Sequence, residues 1–118
     1  MKQRKYINMS MHNDTTYLRH ILVCIEKINQ YTGDHSFSYF KSNNMIIDAV
    51  LRNFEIIGEA SNNLSDTFKD SHGEIDFRSA IGIRNRLIHG YDEVNLEIVW
   101  GTIKKDLPKL KKQIQKLT

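Results

Sequence analysis

The chain has 118 residues, 40% of them hydrophobic and 26% charged, with one proline and one cysteine. That is enough for one domain with its own core, a lone cysteine excludes an intrachain disulfide, and no apolar run approaches the roughly 20 residues of a membrane span. Lys and Arg number 17 against 14 acids, and the resulting +3 is too small an excess to announce a nucleic-acid binder.

The N-terminal MKQRKYINMSMHNDTT is basic and polar and lacks the apolar stretch of a secretory signal. Residues 1–13 read as a flexible basic tail, with Met9 and Met11 as candidate starts, and residues 14–118 as one domain. A cytoplasmic location is expected.

Four segments carry helical period. The first, from about Asp14 to Tyr31, puts Tyr17, Leu18, Ile21, Cys24, Ile25 and Ile28 on one stripe. Asp14 or Thr15 is placed to cap its start and Gly33 to stop it. Cys24, inside ILVCI, reads as a buried inert thiol rather than a nucleophile.

The second segment runs from about Asn43 to Leu64, with Ile46, Ile47, Val50, Leu51, Phe54, Ile57 and Leu64 in register. Its Gly58 costs helix propensity, about 1 kcal/mol against alanine, and most simply lets another helix come close. Glu55 and Glu59, four apart, share one face and should answer basic side chains, with Arg52 and Arg84 as the candidate partners.

The third segment is shorter, about Asp76 to His89, with Gly90 placed to end it. The fourth starts near Asn95 and repeats through Leu96, Val99, Trp100, Ile103, Leu107, Leu110, Ile114 and Leu117. Pro108 should kink it after Asp106, because proline lacks the amide the helix would use. TGDHSFSYFKS, SDTFKDSHGE and GYDEV read as loops. The expected fold is therefore an all-α bundle of four main helices with a short or broken third one. The run KKDLPKLKKQIQK carries six lysines. A solvated face on an amphipathic helix is the ordinary reading of such a run, and a surface attracting RNA the lesser one.

Little of the usual catalytic vocabulary is present. The histidines at 12, 20, 35, 72 and 89 form no metal-ligand spacing, so no metal is expected, and no phosphate-cradling glycine loop or nucleophilic triad appears. No cofactor is expected. What stands out is IRNRLIHGYDE, residues 83–93. On a helix Asn85 and His89 lie one above the other, and Arg84 is one step of about 100° around. Ile83 and Leu87 can face the core while Arg84, Asn85 and His89 line a polar flank. His89 sits on the last turn, where unpaired carbonyl groups favour a cation. Arginine can hold a phosphate through paired hydrogen bonds, and histidine can move protons. That trio suits metal-free RNA cleavage by the ribose 2′-hydroxyl, although an arginine and a histidine on a short helix often meet only solvent or a carboxylate.

RNRLIHGY, residues 84–91, resembles the signature of the HepT-like toxins of the HEPN superfamily: an arginine, a polar residue, a histidine four to six positions on, and a nearby tyrosine. LRNFEIIGEASNNLS, residues 51–65, is similar to that family's second block. IVWGTIKKDLPKLKKQI, residues 98–114, is similar to its closing helix, with the tryptophan and the Leu-Pro pair in place. The resemblance implies a HEPN bundle, a homodimer with two Arg–His motifs facing a shared cleft, and a metal-independent endoribonuclease toxin. It also implies a partner, an MntA-like nucleotidyltransferase antitoxin that silences the toxin by transferring AMP to the motif tyrosine. Carried over, Arg84 and His89 would be catalytic, Asn85 supporting, and Tyr91 the AMP acceptor.

Arg86 is an extra cation able to bind RNA or pair with an acid, and the acidic DEVNLE after Tyr91 departs from what a broad RNA surface would need. Two other readings stay open from the sequence: a HEPN binding module that partners a nucleotidyltransferase without cleaving RNA, and an unrelated structural bundle.

Overall fold

The structure, a computed structural model, describes residues 13–118 in full. The flexible tail expected at 1–13 lies, but for Asn13, outside them. The described chain is all-helical, in the order α1 (Lys2–Thr32), α2 (Phe37–Ser42), α3 (Asn44–Asn63), α4 (Asp66–Ser71), α5 (Arg78–His89), α6 (Leu96–Gly101) and α7 (Leu107–Gln115). A 3-10 turn, Tyr91–Glu93, follows α5, and a π-helical stretch, Thr102–Asp106, joins α6 to α7.

The apolar stripes read from the sequence form most of the core, while Tyr17, Ile46, Ile47, Leu96 and Trp100 are only partly buried and Leu117 is exposed. Leu18, Ile21, Cys24, Ile25 and Ile28 of α1 are buried against Val50, Leu51, Phe54 and Ile57 of α3, with Ala80 and Ile83 of α5 and Val99, Ile103, Leu107, Leu110 and Ile114 closing the bundle. α3 is the central helix, packed between α1 and α5, while α7 lies against α1. Burial raises the Cys24 thiol above its ordinary pKa, as an inert core cysteine requires. Buried Ser61 and Thr32 donate their hydroxyls to the carbonyls four residues back, Ile57 and Ile28, at 2.7 and 2.8 Å, so neither breaks the apolar interior.

Helix ends fall where capping residues stand. Asn43 starts α3 by accepting from the Ile46 amide at 3.1 Å, and Asn95 starts α6 by accepting from Glu97 and Ile98. Gly33 and Gly90 end α1 and α5 at φ +38° and +128°, conformations that exclude most side chains.

Two expectations are corrected. Asp14 lies within α1 and does not cap it; its buried carboxylate accepts from the amide and hydroxyl of Ser65, at 2.8 and 2.6 Å, and so ties α1 to the turn before α4. The segments read as loops hold α2 and α4, each six residues long and each begun by a serine, Ser36 and Ser65, whose side chain caps the first turn. Phe37 and Phe40 explain α2's position, since both rings pack on Trp100, at 6.0 and 5.2 Å between centroids. The third long helix is short, as expected, and unbroken, and the irregularity sits in the fourth, where Pro108 was expected to kink it. There the Leu107 amide donates to Thr102, five residues back. That wider register meets the chain just before Pro108, which has no amide of its own to offer the helix.

Candidate functional site

Arg84 projects from α5 toward α3, and its position is set by Gly58. A Cβ built on Gly58 would overlap the Arg84 Cβ and lie 2.9 Å from its Cγ and 3.1 Å from the Ala80 carbonyl oxygen. Only glycine lets α5 approach that near, so the close contact expected of Gly58 is made at the arginine itself.

The guanidinium is engaged on two sides. Nη2 donates to Glu59 Oε2 at 3.1 Å and Nη1 to Asn85 Oδ1 at 3.2 Å. Its side chain is 24% exposed, whereas that of Glu59 is 59% exposed. Glu55 pairs with Arg52 at 3.4 Å. The two glutamates thus find the two arginines anticipated for them.

Asn85 and His89 are exposed on the flank of α5 away from the core. His89 is the last residue of the helix, and its side chain has no hydrogen-bond or ion-pair partner among the described residues. Gly90 then turns the chain so that Tyr91 stands in the 3-10 turn, 57% exposed. Arg84 and His89 are five residues apart, about 140° around the helix axis. Within one chain they therefore point to different sides of α5, and the structure brings Arg84 together with Asn85 and Glu59 but not with His89.

Arg86 lies elsewhere, lining a cavity of about 250 Å³ between α5 and α6 with Arg78, Ile83, Asn95 and Thr102. Arg84, Asn85, His89 and Tyr91 line neither that cavity nor those between α4 and α5 and between α1 and α3. The motif thus lies outside these three cavities. Among the described residues no three His, Cys, Asp or Glu side chains gather as a metal site, and no helix is long and apolar enough to cross a membrane.

A family model described as "Ribonuclease HepT-like" matches residues 21–117, which include α3, α5 and the whole of the Arg–His motif. The chain belongs to the HepT-like ribonuclease family. Relatives agree with that assignment. A "Probable ribonuclease HepT" of Thermococcus cleftensis is 41% identical over 90% of this chain and 94% of its own. A "Putative RNase" of Caldanaerobacter subterraneus subsp. tengcongensis is 36% identical over 91% and 96%. A "Gamma-glutamylcyclotransferase and putative RNase" of Methanocaldococcus jannaschii is 42% identical over 86% of this chain, which spans 46% of that longer protein. No solved structure matches.

The family membership fits the all-helical bundle and excludes the reading of an unrelated structural protein. Sequence reasoning named Gly58 as a point of close approach but not the residue it faces. The signal was present in GEA, residues 58–60, where the glycine precedes the glutamate that holds Arg84.

Proposed function

We propose that this HepT-like chain is the endoribonuclease toxin of a toxin–antitoxin pair. It cleaves RNA without metal at a cleft shared by two copies, and AMP transfer to Tyr91 silences it. The observation that carries this reading is the asymmetry of the motif. Arg84 is anchored at its root by the contact with Gly58, while His89 and Tyr91 at the end of the same helix are exposed and unengaged.

His89 takes the proton from a ribose 2′-hydroxyl, whose oxygen attacks the adjacent phosphorus. The 5′-oxygen of the next nucleotide leaves and takes up a proton, so the products end in a 2′,3′-cyclic phosphate and a 5′-hydroxyl. Arg84, steadied by Asn85, stabilises the charge that grows on the non-bridging oxygens. The separation of about 140° between Arg84 and His89 is the physical reason for a second copy: facing helices allow the arginine of one chain and the histidine of the other to reach one phosphate. Arg86, off this edge, would hold flanking RNA.

Silencing follows from the same placement. An MntA-like nucleotidyltransferase antitoxin would supply ATP's α-phosphoryl group to the Tyr91 hydroxyl, with pyrophosphate leaving and the phenolic proton released. The new phosphodiester, two residues past His89, would fill the anion site and repel the RNA backbone.

One observation favours a second reading, a binding module that partners the nucleotidyltransferase without cutting. Arg84 is already satisfied by Glu59 within one chain, on an edge that lines none of the cavities described.

Incubating the purified chain with total RNA in EDTA, beside His89→Ala, tests the proposal. Cleavage by the wild type alone, leaving cyclic phosphate ends, is expected. An unmodified, folded dimer that leaves RNA intact would overturn it in favour of the binding module.

A further inference from the structure

The six lysines between residues 104 and 116 do not behave as one face. Lys104 sits over the Trp100 ring, 4.6 Å from its centroid, and Lys111 pairs with Glu26 of α1 at 3.4 Å. The first contact lies within its own helical run, and the second ties α7 to α1. Lys105, Lys109, Lys112 and Lys116 are different. All four are exposed, and none makes an ion pair or side-chain hydrogen bond among the described residues.

Their geometry is regular. At about 100° per residue the four fall within one narrow arc, opposite the buried Leu107, Leu110 and Ile114. Neighbours are three or four positions apart, about 5–6 Å between Cβ atoms, so they form a straight row roughly 16 Å long.

The charge is concentrated there too. Residues 104–116 hold six lysines and one aspartate, a net +5, so the remainder of a +3 chain sums to −2. A merely solvated face usually alternates signs, because like charges at this spacing repel by about 0.2–0.5 kcal/mol per pair. The helix dipole accounts for cations in the last turn, near Lys112 and Lys116, but not for Lys105 and Lys109. Lys109 also lines the cavity between α4 and α5, where Lys69 and Arg78 stand beside Glu74 and Asp76, so the uninterrupted positive charge is that of the row itself.

We propose that Lys105, Lys109, Lys112 and Lys116 form a track for the phosphate backbone of single-stranded RNA. A straight row of like charges complements a linear polyanion better than a compact one. The Arg–His edge needs such help, because Asp92 and Glu93 follow Tyr91 directly, with Glu97 six positions on, and would repel a strand leaving it. The track rests on the ribonuclease reading only for the choice of RNA as the polyanion.

The test measures binding, not cleavage, with a fluorescein-labelled, fully 2′-O-methylated single-stranded RNA that the proposed chemistry cannot cut. Anisotropy titrations between about 50 and 200 mM salt compare three full-length proteins. They are the wild type, the track variant (Lys105→Gln, Lys109→Gln, Lys112→Gln, Lys116→Gln) and a charge-matched control (Arg19→Gln, Lys27→Gln, Lys41→Gln, Arg52→Gln). All eight side chains are exposed, and melting curves check that each variant folds.

The track variant should bind at least about tenfold more weakly. Its slope of log K on log salt should be smaller by about 3, at about 0.7 for each phosphate no longer neutralised. The control should stay near the wild type. Equal weakening of both variants, wild-type affinity in the track variant, or no RNA binding by the wild type would each overturn the track. So would unchanged RNA binding with abolished binding to the nucleotidyltransferase partner, which would make the row a protein-docking face. RNA binding through the track by a chain that cuts no RNA would leave the inference standing while the nuclease reading fell.

Discussion

Gly58 and Arg84 are in contact across the α3–α5 interface, and the missing side chain of the first sets the place of the second. A methyl group at Gly58 would overlap the Arg84 Cβ and press on the Ala80 carbonyl at 3.1 Å, neither of them the free end of a flexible chain. Gly58→Ala should therefore destabilise the protein. Overpacking of this kind costs about 1–3 kcal/mol, offset by about 1 kcal/mol of gained helix propensity. The urea midpoint should fall and RNA cleavage should fall with it, since α5 must move away from α3. A rise in the midpoint would mean that the helices part easily and that the glycine has no packing role.

Glu59 accepts from Arg84 Nη2, a donor that the proposed chemistry would turn to a phosphate. With 59% of the Glu59 side chain exposed, removing the charge should change stability by less than about 1 kcal/mol. Glu59→Gln should lower KM for RNA several-fold, because the guanidinium no longer has a competing carboxylate. A fall in kcat with KM unmoved would instead make Glu59 a positioning residue that orients Arg84 for the reaction.

Much of this arrangement was legible from spacing. The stripes of α1, α3 and the last helix predicted the core, and Gly33, Asn43, Gly90 and Asn95 marked ends that the structure keeps. The partner of Gly58 was not legible, because which helix approaches a glycine depends on the packing of the whole bundle. α2 and α4 escaped notice for a different reason: six residues hold too little periodicity to register. Their capping serines were the available signal. The π-helical stretch was announced only as a kink at Pro108, since sequence tells that an amide is missing and not how neighbouring carbonyls are re-paired. The angular separation of Arg84 and His89 around α5 follows from counting residues alone.

Asp14 and Ser65 lie 51 positions apart and form two hydrogen bonds, 2.8 and 2.6 Å, that fasten α1 to the start of α4. Asp14 is 8% exposed, so water would not freely replace these bonds once broken. Asp14→Ala should cost about 2 kcal/mol, in the range for hydrogen bonds to a charged group. Ser65 also caps α4, so a double-mutant cycle with Ser65→Ala should show strong coupling. Additive effects would mean that the two residues stabilise their helices independently.

Asp76 predicts an acid response. Its carboxylate accepts from the side chain and the backbone amide of Arg78, and these bonds hold its pKa down at about 2 against an ordinary 3.8. A carboxyl group depressed by folding stabilises the native state above its unfolded pKa, and that contribution disappears as pH falls through the folded value. The pair is largely exposed, so the increment is small after screening by solvent. Wild-type stability should drop more steeply between pH 3.8 and about 2 than that of Asp76→Asn, with the two curves converging at the acid end. Parallel curves through that window would show that the Arg78 bonds do not hold in solution. In that case the amide of Arg78, the first residue of α5, would need another acceptor than the Asp76 carboxylate.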